Sequence, residues 1–175
     1  IKIRNVEADC LYSGIMIDTN NFMSKTGVRT FEAAAFLRRN GADVTRVRKM
    51  FREDATEYKA KAEAVRMAEL YLNSYAISMS PSQGIESPTV VAAQAANELL
   101  NITGIRASFV LTDYQNKIYI SARSIDEVDV QIIMERLGGG GHMNIAGAQM
   151  ENTTIDYAIQ LLKDTLDIMI KEGDI

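Results

Sequence analysis

The segment Leu137-Gly-Gly-Gly-Gly-His-Met-Asn-Ile-Ala-Gly-Ala-Gln149 contains four consecutive glycines, followed by the only histidine among 175 residues. Glycine loses more backbone entropy on folding than any other residue, so a run of glycines needs a structural or functional reason. A helix C-cap is one such reason, but a single glycine is sufficient for a cap. The other is close approach of the bare backbone to a ligand, with N–H groups facing an anion. The segment therefore predicts contacts with a phosphate or another part of a substrate, made by Gly139, Gly140, Gly141 and His142. A histidine that belongs to the protein core is the alternative.

The composition indicates an ordinary soluble globular protein, with 47% hydrophobic and 24% charged residues. The sequence has no apolar run long enough to span a bilayer, and its first residues lack the pattern of a signal peptide. Cys10 is the only cysteine, which excludes an internal disulfide and a cysteine-rich zinc site. We expect this cysteine to be a small residue of the core.

Charge is distributed unevenly along the chain. Residues 1–66 hold 13 basic and 9 acidic side chains, whereas residues 67–175 hold 6 basic and 14 acidic ones. The basic side chains are concentrated between Arg38 and Arg52. We interpret them as a solvated helix face, and the alternative is electrostatic attraction of a phosphorylated ligand.

Hydrophobic periodicity predicts an all-helical segment over residues 1–60. Its helices are expected over residues 6–17, 31–40 and 44–51, with Thr30 and Asp43 as the N-caps of the second and third. A long helix over residues 54–72 is expected to connect this segment to the rest of the chain.

The rest of the chain alternates between helix and strand patterns. The predicted elements are a strand over 75–79, a helix over 87–100, a hairpin of 105–112 and 117–122, a helix over 129–137, a glycine loop, a strand over 148–150, and a last helix that begins at Thr153 or Thr154. The predicted fold class is therefore α/β, more closely α+β, with a mixed central sheet flanked by helices.

Among the carboxylates, Asp18 is the strongest candidate for a metal ligand. It follows an apolar stretch and lies at the expected end of an element, where its side chain can point into a cleft. A carboxylate is a suitable ligand for Mg²⁺ or Mn²⁺. One carboxylate does not make a metal site, however, and from spacing alone Asp18 also fits a helix-capping role.

Arg123 and Ser124 follow a predicted strand, and strand ends open onto clefts. Arginine binds phosphate through two parallel hydrogen bonds, and a serine hydroxyl such as that of Ser121 or Ser124 can donate a further one. An ordinary surface arginine is the alternative. With one histidine and no G-x-S-x-G motif, the chain shows no pattern typical of nucleophilic catalysis.

Five stretches together resemble one protein family. They are Gly14-Ile-Met-Ile-Asp-Thr-Asn-Asn-Phe22, Thr26-Gly-Val-Arg-Thr-Phe-Glu32, Leu37-Arg-Arg-Asn-Gly-Ala-Asp43, Ile120-Ser-Ala-Arg-Ser124 and Val130-Gln-Ile-Ile-Met-Glu-Arg-Leu-Gly-Gly-Gly-Gly-His142. The chain resembles the DHH phosphoesterases with a DHH-associated C-terminal domain. Its features are closest to the bacterial membrane-anchored cyclic-di-AMP phosphodiesterases.

The resemblance implies an arrangement of domains and sites. Residues 1–60 would be the incomplete C-terminal helical part of a DHH catalytic domain, 61–72 a linker helix, and 73–175 the substrate-binding DHH-associated domain. Asp18 would match a metal-binding aspartate, and Arg123 with 139–142 would match substrate contacts. Family members use two Mn²⁺ ions to activate a water that attacks a phosphodiester.

The function implied by the resemblance is hydrolysis of cyclic-di-AMP to linear pApA. Hydrolysis of short linear oligonucleotides (nano-RNA) and nucleotide or nucleic-acid binding without catalysis are the alternatives. The family's metal ligands that precede Asp18 do not occur in this sequence. We therefore expect the chain alone to be inactive. It would be a cytoplasmic segment without membrane contact, from a protein anchored in the bacterial cell membrane, and a homodimer is possible.

Overall fold

The computed structural model describes residues 3–125 and 127–175. The chain divides into two compact units, the first ending at Glu53 and the second beginning at Asp54. None of the helices in these described ranges combines the length and the apolar character that a membrane span requires.

The first unit is helical, as predicted. Its helices are α1 (Asn5–Asp18), α2 (Val28–Arg39) and α3 (Val44–Met50). Ala8, Leu37 and Ala42 form its small core. Cys10 is exposed, so the prediction that it belongs to the core is wrong.

The capping residues of this unit were predicted with mixed success. The Asp43 side chain accepts a hydrogen bond from the Arg46 N–H, which confirms Asp43 as the N-cap of α3. Thr30 is not the N-cap of α2, because the helix already begins at Val28. The Thr30 hydroxyl lies within the first turn and accepts a hydrogen bond from the Gly27 N–H at 3.3 Å.

A buried carboxylate joins α1 to α3. Asp9 is 2% exposed, and its Oδ2 lies 2.6 Å from Nε of Arg46. Its Oδ1 accepts the Asp43 N–H at 2.7 Å and Nη2 of Arg46 at 3.2 Å. The Arg46 bond and then the Asp43 bond lower the pKa of the Asp9 carboxyl from its ordinary value. A buried charge with its partners in place is stable, whereas removing one partner leaves the other unsatisfied.

We therefore expect Asp9→Asn to lower the melting temperature of the first unit by several degrees at neutral pH. Because the folded pKa lies below the ordinary value of 3.8, the carboxylate stabilises the fold above that pH, and this stabilisation is lost as the pH falls. The melting temperatures of wild type and variant should therefore converge in acid, as measured by circular dichroism from pH 7 to pH 3. Asp18→Asn is the matched control, because the exposed Asp18 carboxylate has no hydrogen bond to a described residue. Equal melting curves for the two variants would contradict the argument.

The second unit is a six-stranded mixed sheet with helices on both faces. In chain order its elements are α4 (Ala55–Arg66), β1 (Glu69–Tyr71), β2 (Tyr75–Met79), α5 (Pro88–Leu99), β3 (Ala107–Tyr114), β4 (Lys117–Ser124), α6 (Val130–Arg136), β5 (Gly140–His142), β6 (Ile145–Glu151) and α7 (Ile155–Glu172). The strand order is β1-β2-β3-β4-β6-β5, in which only β2 and β3 are parallel. This confirms the predicted fold class.

The two sheet faces carry different helices. The main core lies on one face, where α6 and α7 pack on side chains such as Phe109, Ile120 and Ala148. On the other face α4 and α5 contribute to a second core that includes Ala76 of β2 and Val110 of β3. Two buried serine hydroxyls of the sheet donate hydrogen bonds to the helices of this second core. Ser108 Oγ donates to the Ala96 carbonyl at 2.6 Å, and Ser78 Oγ donates to the Ala64 carbonyl.

Two element predictions for this unit are wrong. The predicted helix over 54–72 ends at Arg66 and is followed by strand β1. Leu72 and Asn73 adopt positive φ in the tight turn that leads from β1 to β2. The predicted glycine loop is instead strand β5, and the short strand predicted over 148–150 extends over Ile145–Glu151.

Candidate functional site

The pairing of β4, β6 and β5 places alternate residues of these strands on one face of the sheet, opposite α6 and α7. It is the same face on which α4 and α5 pack against β2 and β3, since Val110 pairs with Ser121. We call this surface the outer face. One row across the strands contains Arg123, Ile145 and His142, and the next contains Ser121, Gly147 and Gly140. Tyr119 and Gln149 form the third row. Residues opposite each other in antiparallel strands project from the same face, so these side chains share one surface.

The first glycine of the run ends helix α6. Gly138 has φ +79°, and its N–H donates to the Glu135 carbonyl at 3.0 Å. The Gly139 N–H donates to the Met134 carbonyl at 2.8 Å. This pair of bonds is the Schellman arrangement that closes helix C-termini. The cap interpretation of the glycine run is therefore correct for Gly138.

Gly139 and Gly141 are required by close contact with β6. A Cβ at position 139 would lie 2.6 Å from the Cα of Ala148, and one at position 141 would lie 2.5 Å from the Ile145 carbonyl oxygen. Both contacts are with backbone, which has little freedom to move. Gly141 also has φ +152°, a conformation that side chains rarely adopt.

Gly140 differs from its neighbours, because no heavy atom lies within 4 Å of the position that its Cβ would occupy. Its φ is not positive, so neither packing nor backbone conformation requires glycine here. Gly140 lies on the outer face beside Gly147. A missing side chain at such a position leaves the backbone open to close approach by a ligand.

Arg123 is the half-buried charge of the outer face. Its Nη1 donates to the Ala122 carbonyl at 2.8 Å, while its Nε is buried and has no hydrogen-bond partner among the described residues. No carboxylate among the described residues forms an ion pair with it. Burial lowers the pKa of the Arg123 guanidinium from its ordinary value, although arginine stays charged at neutral pH. A desolvated cation without a counter-charge favours binding of an anion.

His142 and Ser124 have different surroundings. His142 is exposed on the outer face, which contradicts the alternative of a core histidine. Ser124 is buried on the opposite face of β4. Its Oγ donates to the Met143 carbonyl at 3.3 Å and accepts from Nδ2 of Asn144 at 3.2 Å. The structure therefore brings Arg123, Gly140 and His142 together and separates Ser124, which anchors the β5–β6 turn.

Asp18 is the last residue of α1 and is exposed, in agreement with the prediction that it lies at the end of an element. The Thr19 side chain closes this helix end, since its Oγ1 donates to the Ile15 carbonyl at 2.6 Å and accepts the Phe22 N–H at 3.0 Å. The ranges that the structure describes contain no group of three or more His, Cys, Asp or Glu side chains that could hold a metal ion. The role of Asp18 as a metal ligand stays a prediction.

Three outer-face residues were not predicted from the sequence. Gly147, Tyr119 and Gln149 lie on the same face as Arg123 because β6 pairs with β4 over its whole length. In the structure Ile145–Glu151 places alternate residues on the two faces, but the sequence of this strand shows no apolar and polar alternation, and the predicted strand began only at residue 148.

Comparison with known families identifies the second unit. A model of the DHHA1 domain matches residues 73–171, which is more than half of the chain. The chain belongs to the DHHA1 domain family. The matched DHHA1 region includes the whole outer face.

Two curated relatives of the DHHA1 chain are cyclic-di-AMP phosphodiesterases. PdeA of Listeria monocytogenes is 42% identical over 167 residues, which cover 95% of this chain and 25% of the relative. GdpP of Bacillus subtilis is 39% identical over 175 residues, covering 99% of this chain and 27% of the relative. The chain thus spans about a quarter of the length of these relatives.

A solved structure of an exopolyphosphatase-related protein from Bacteroides fragilis has the same fold. It superposes with a TM-score of 0.84 over 95% of this chain and 51% of that chain, with 20% sequence identity. At this level of identity the likeness concerns the fold alone.

The glycine contacts predict a clear order of stability effects. Gly139→Ala and Gly141→Ala should each lower the free energy of unfolding by roughly 1–3 kcal/mol, because an added methyl group must displace the backbone of β6. Gly140→Ala should leave it nearly unchanged, because its Cβ would enter open space. Urea unfolding of the three variants measures the difference. A Gly140→Ala variant as unstable as the other two would contradict this assignment.

Proposed function

We propose that the DHHA1 region binds a nucleotide through a phosphate group held at Arg123, and that the longer protein is a phosphodiesterase that hydrolyses cyclic-di-AMP to pApA. The observation that carries the proposal is the half-buried guanidinium of Arg123, which has an unpartnered Nε and no ion pair within the described chain. The identity with cyclic-di-AMP phosphodiesterases, 39–42% over nearly the whole chain, supports the choice of ligand.

The roles of the other residues follow from their positions on the outer face. Gly140 would allow a phosphate oxygen or a sugar to lie against the backbone. The His142 imidazole would donate a hydrogen bond to a phosphate oxygen from the strand at the edge of the sheet. The turn between β5 and β6 is held by Ser124 and by the Val130 N–H, which donates to the Met143 carbonyl at 2.9 Å. His142 therefore extends from a fixed support, which reduces the entropy lost when it binds.

Arg123→Ala should weaken binding of pApA about tenfold to a hundredfold, the amount expected for one charge-assisted hydrogen-bonding group. His142→Ala should have a smaller effect in the same direction, and Arg123→Lys an intermediate one because lysine keeps the charge without the planar fork. Isothermal titration of pApA and of cyclic-di-AMP into the chain measures these affinities, with melting curves as a check on folding.

Arg136→Ala is the matched control. Arg136 is an exposed residue of α6, paired with Glu172 and Asp174 on the far side of the sheet. The phosphate site would be disproved if Arg123→Ala and Arg136→Ala bound pApA equally well while both remained folded.

Catalysis requires more than this chain supplies. Hard divalent ions take about six oxygen ligands each, and Asp18 is a single carboxylate. We therefore expect the 175-residue chain to show no Mn²⁺-dependent hydrolysis of cyclic-di-AMP, assayed by chromatographic detection of pApA. Turnover that depends on Mn²⁺ and disappears in Asp18→Asn would show that this expectation is wrong.

A further inference from the structure

Gln149 lies on the outer face with its amide free to bind. It is exposed, and its side chain has no hydrogen bond to any residue in the described parts of the chain. Along β6 it follows Ile145 and Gly147 on the same face, so it lies two rows away from Arg123. At about 3.3 Å per residue, the four steps from Ile145 to Gln149 extend over roughly 13 Å. Arg123 and Gln149 therefore lie in the first and third of the three rows formed by β4, β6 and β5.

The surface between these ends carries little side-chain bulk. Gly147 and Gly140 are paired neighbours in the middle row, and Ser121 is the only other residue there on β4 and the two strands beyond it. Ile145 gives the Arg123 row an apolar side chain that is 50% exposed. The Tyr119 ring, 6.5 Å from that of Tyr114, lies beside Gln149. A flat ring can therefore lie against the backbone of the glycine row, with an apolar group on one side and an aromatic ring on the other.

A chain of inorganic phosphates has no apolar surface that could pack against the row formed by Ser121, Gly147 and Gly140. A nucleotide has one, because its base and sugar extend away from the phosphate. With the phosphate at Arg123, the base would lie over Gly147 and Gly140 and direct one edge toward Gln149. The Gln149 amide offers one acceptor and one donor group in fixed geometry.

We propose that Gln149 selects the base of the bound nucleotide and favours adenine over guanine. A glutamine amide can accept a hydrogen bond from N6 of adenine and donate one to N7 at the same time. Guanine presents two acceptors, O6 and N7, at the corresponding edge, so the amide carbonyl would have no donor to pair with. The inference rests on the proposed nucleotide site, because Arg123 must first fix the phosphate.

The test compares two linear dinucleotides, pApA and pGpG, titrated into the chain. Wild type should bind pApA about tenfold tighter than pGpG, the discrimination expected from one bidentate amide contact. Gln149→Leu, which keeps the size of the side chain and removes both hydrogen bonds, should weaken pApA binding about tenfold. Its affinity for pGpG should stay the same, so the ratio of its pApA affinity to its pGpG affinity falls to near one. Gln160→Leu is the control, because this exposed residue lies on α7, on the other side of the sheet.

The possible results separate the two proposals. If Gln149→Leu has the same pApA to pGpG affinity ratio as wild type, or if wild type does not prefer pApA, the role of Gln149 is wrong. Either result leaves the proposal of a phosphate site at Arg123 unaffected. Arg123→Ala should weaken both dinucleotides by the same factor. If it binds both as well as wild type does, the phosphate site itself is wrong and the inference about Gln149 is lost with it.

Discussion

The close contact of β5 with β6 is the constraint on which the outer face depends. Side chains at positions 139 and 141 would overlap the backbone of β6, so the two strands can meet here only because both residues are glycine. That contact fixes the register in which Gly140 pairs with Gly147 and His142 with Ile145. A run of four glycines thus meets two different requirements, a helix end at 138 and strand packing at 139 and 141, and includes one position, 140, where neither packing nor φ requires glycine.

The two-residue period of β-strands then separates the residues of the outer face from those that support the β5–β6 turn. Arg123 and Ser124 are neighbours in sequence, but their side chains lie on opposite faces of β4. Ser124 and Asn144 hold the β5–β6 turn from the core side, while Arg123 of β4 and His142 of β5 lie on the outer face. A site on paired strands is more rigid than one on a loop, and this rigidity suits a ligand held by a few directional bonds.

Residues with strong local signals could be predicted from the sequence, whereas long-range pairings could not. Asp43 was recognised as an N-cap, and Thr154 was one of two candidates with Thr153, because capping depends on a few neighbouring residues. Strand β5 was missed because glycines show no alternation of apolar and polar side chains. Of the candidate site residues, Arg123, Gly140 and His142 share one face, but the register that brings β6 beside β4 joins residues about thirty positions apart. No local pattern encodes that register, so Gln149 and Gly147 became visible only in the fold.

Two arginines differ in how far the described residues balance their charges. Arg46 donates three hydrogen bonds, to Asp9 and to the Gly41 carbonyl, so its charge is balanced within the protein. Arg123 donates one to a neighbouring carbonyl and leaves a buried Nε unpaired. Desolvating a guanidinium costs free energy in both places, and only at Arg46 does the fold itself offset that cost. At Arg123 no described carboxylate offsets that cost. In the proposed site, a phosphate oxygen beside Gly140 and His142 would supply the balance that Asp9 supplies to Arg46.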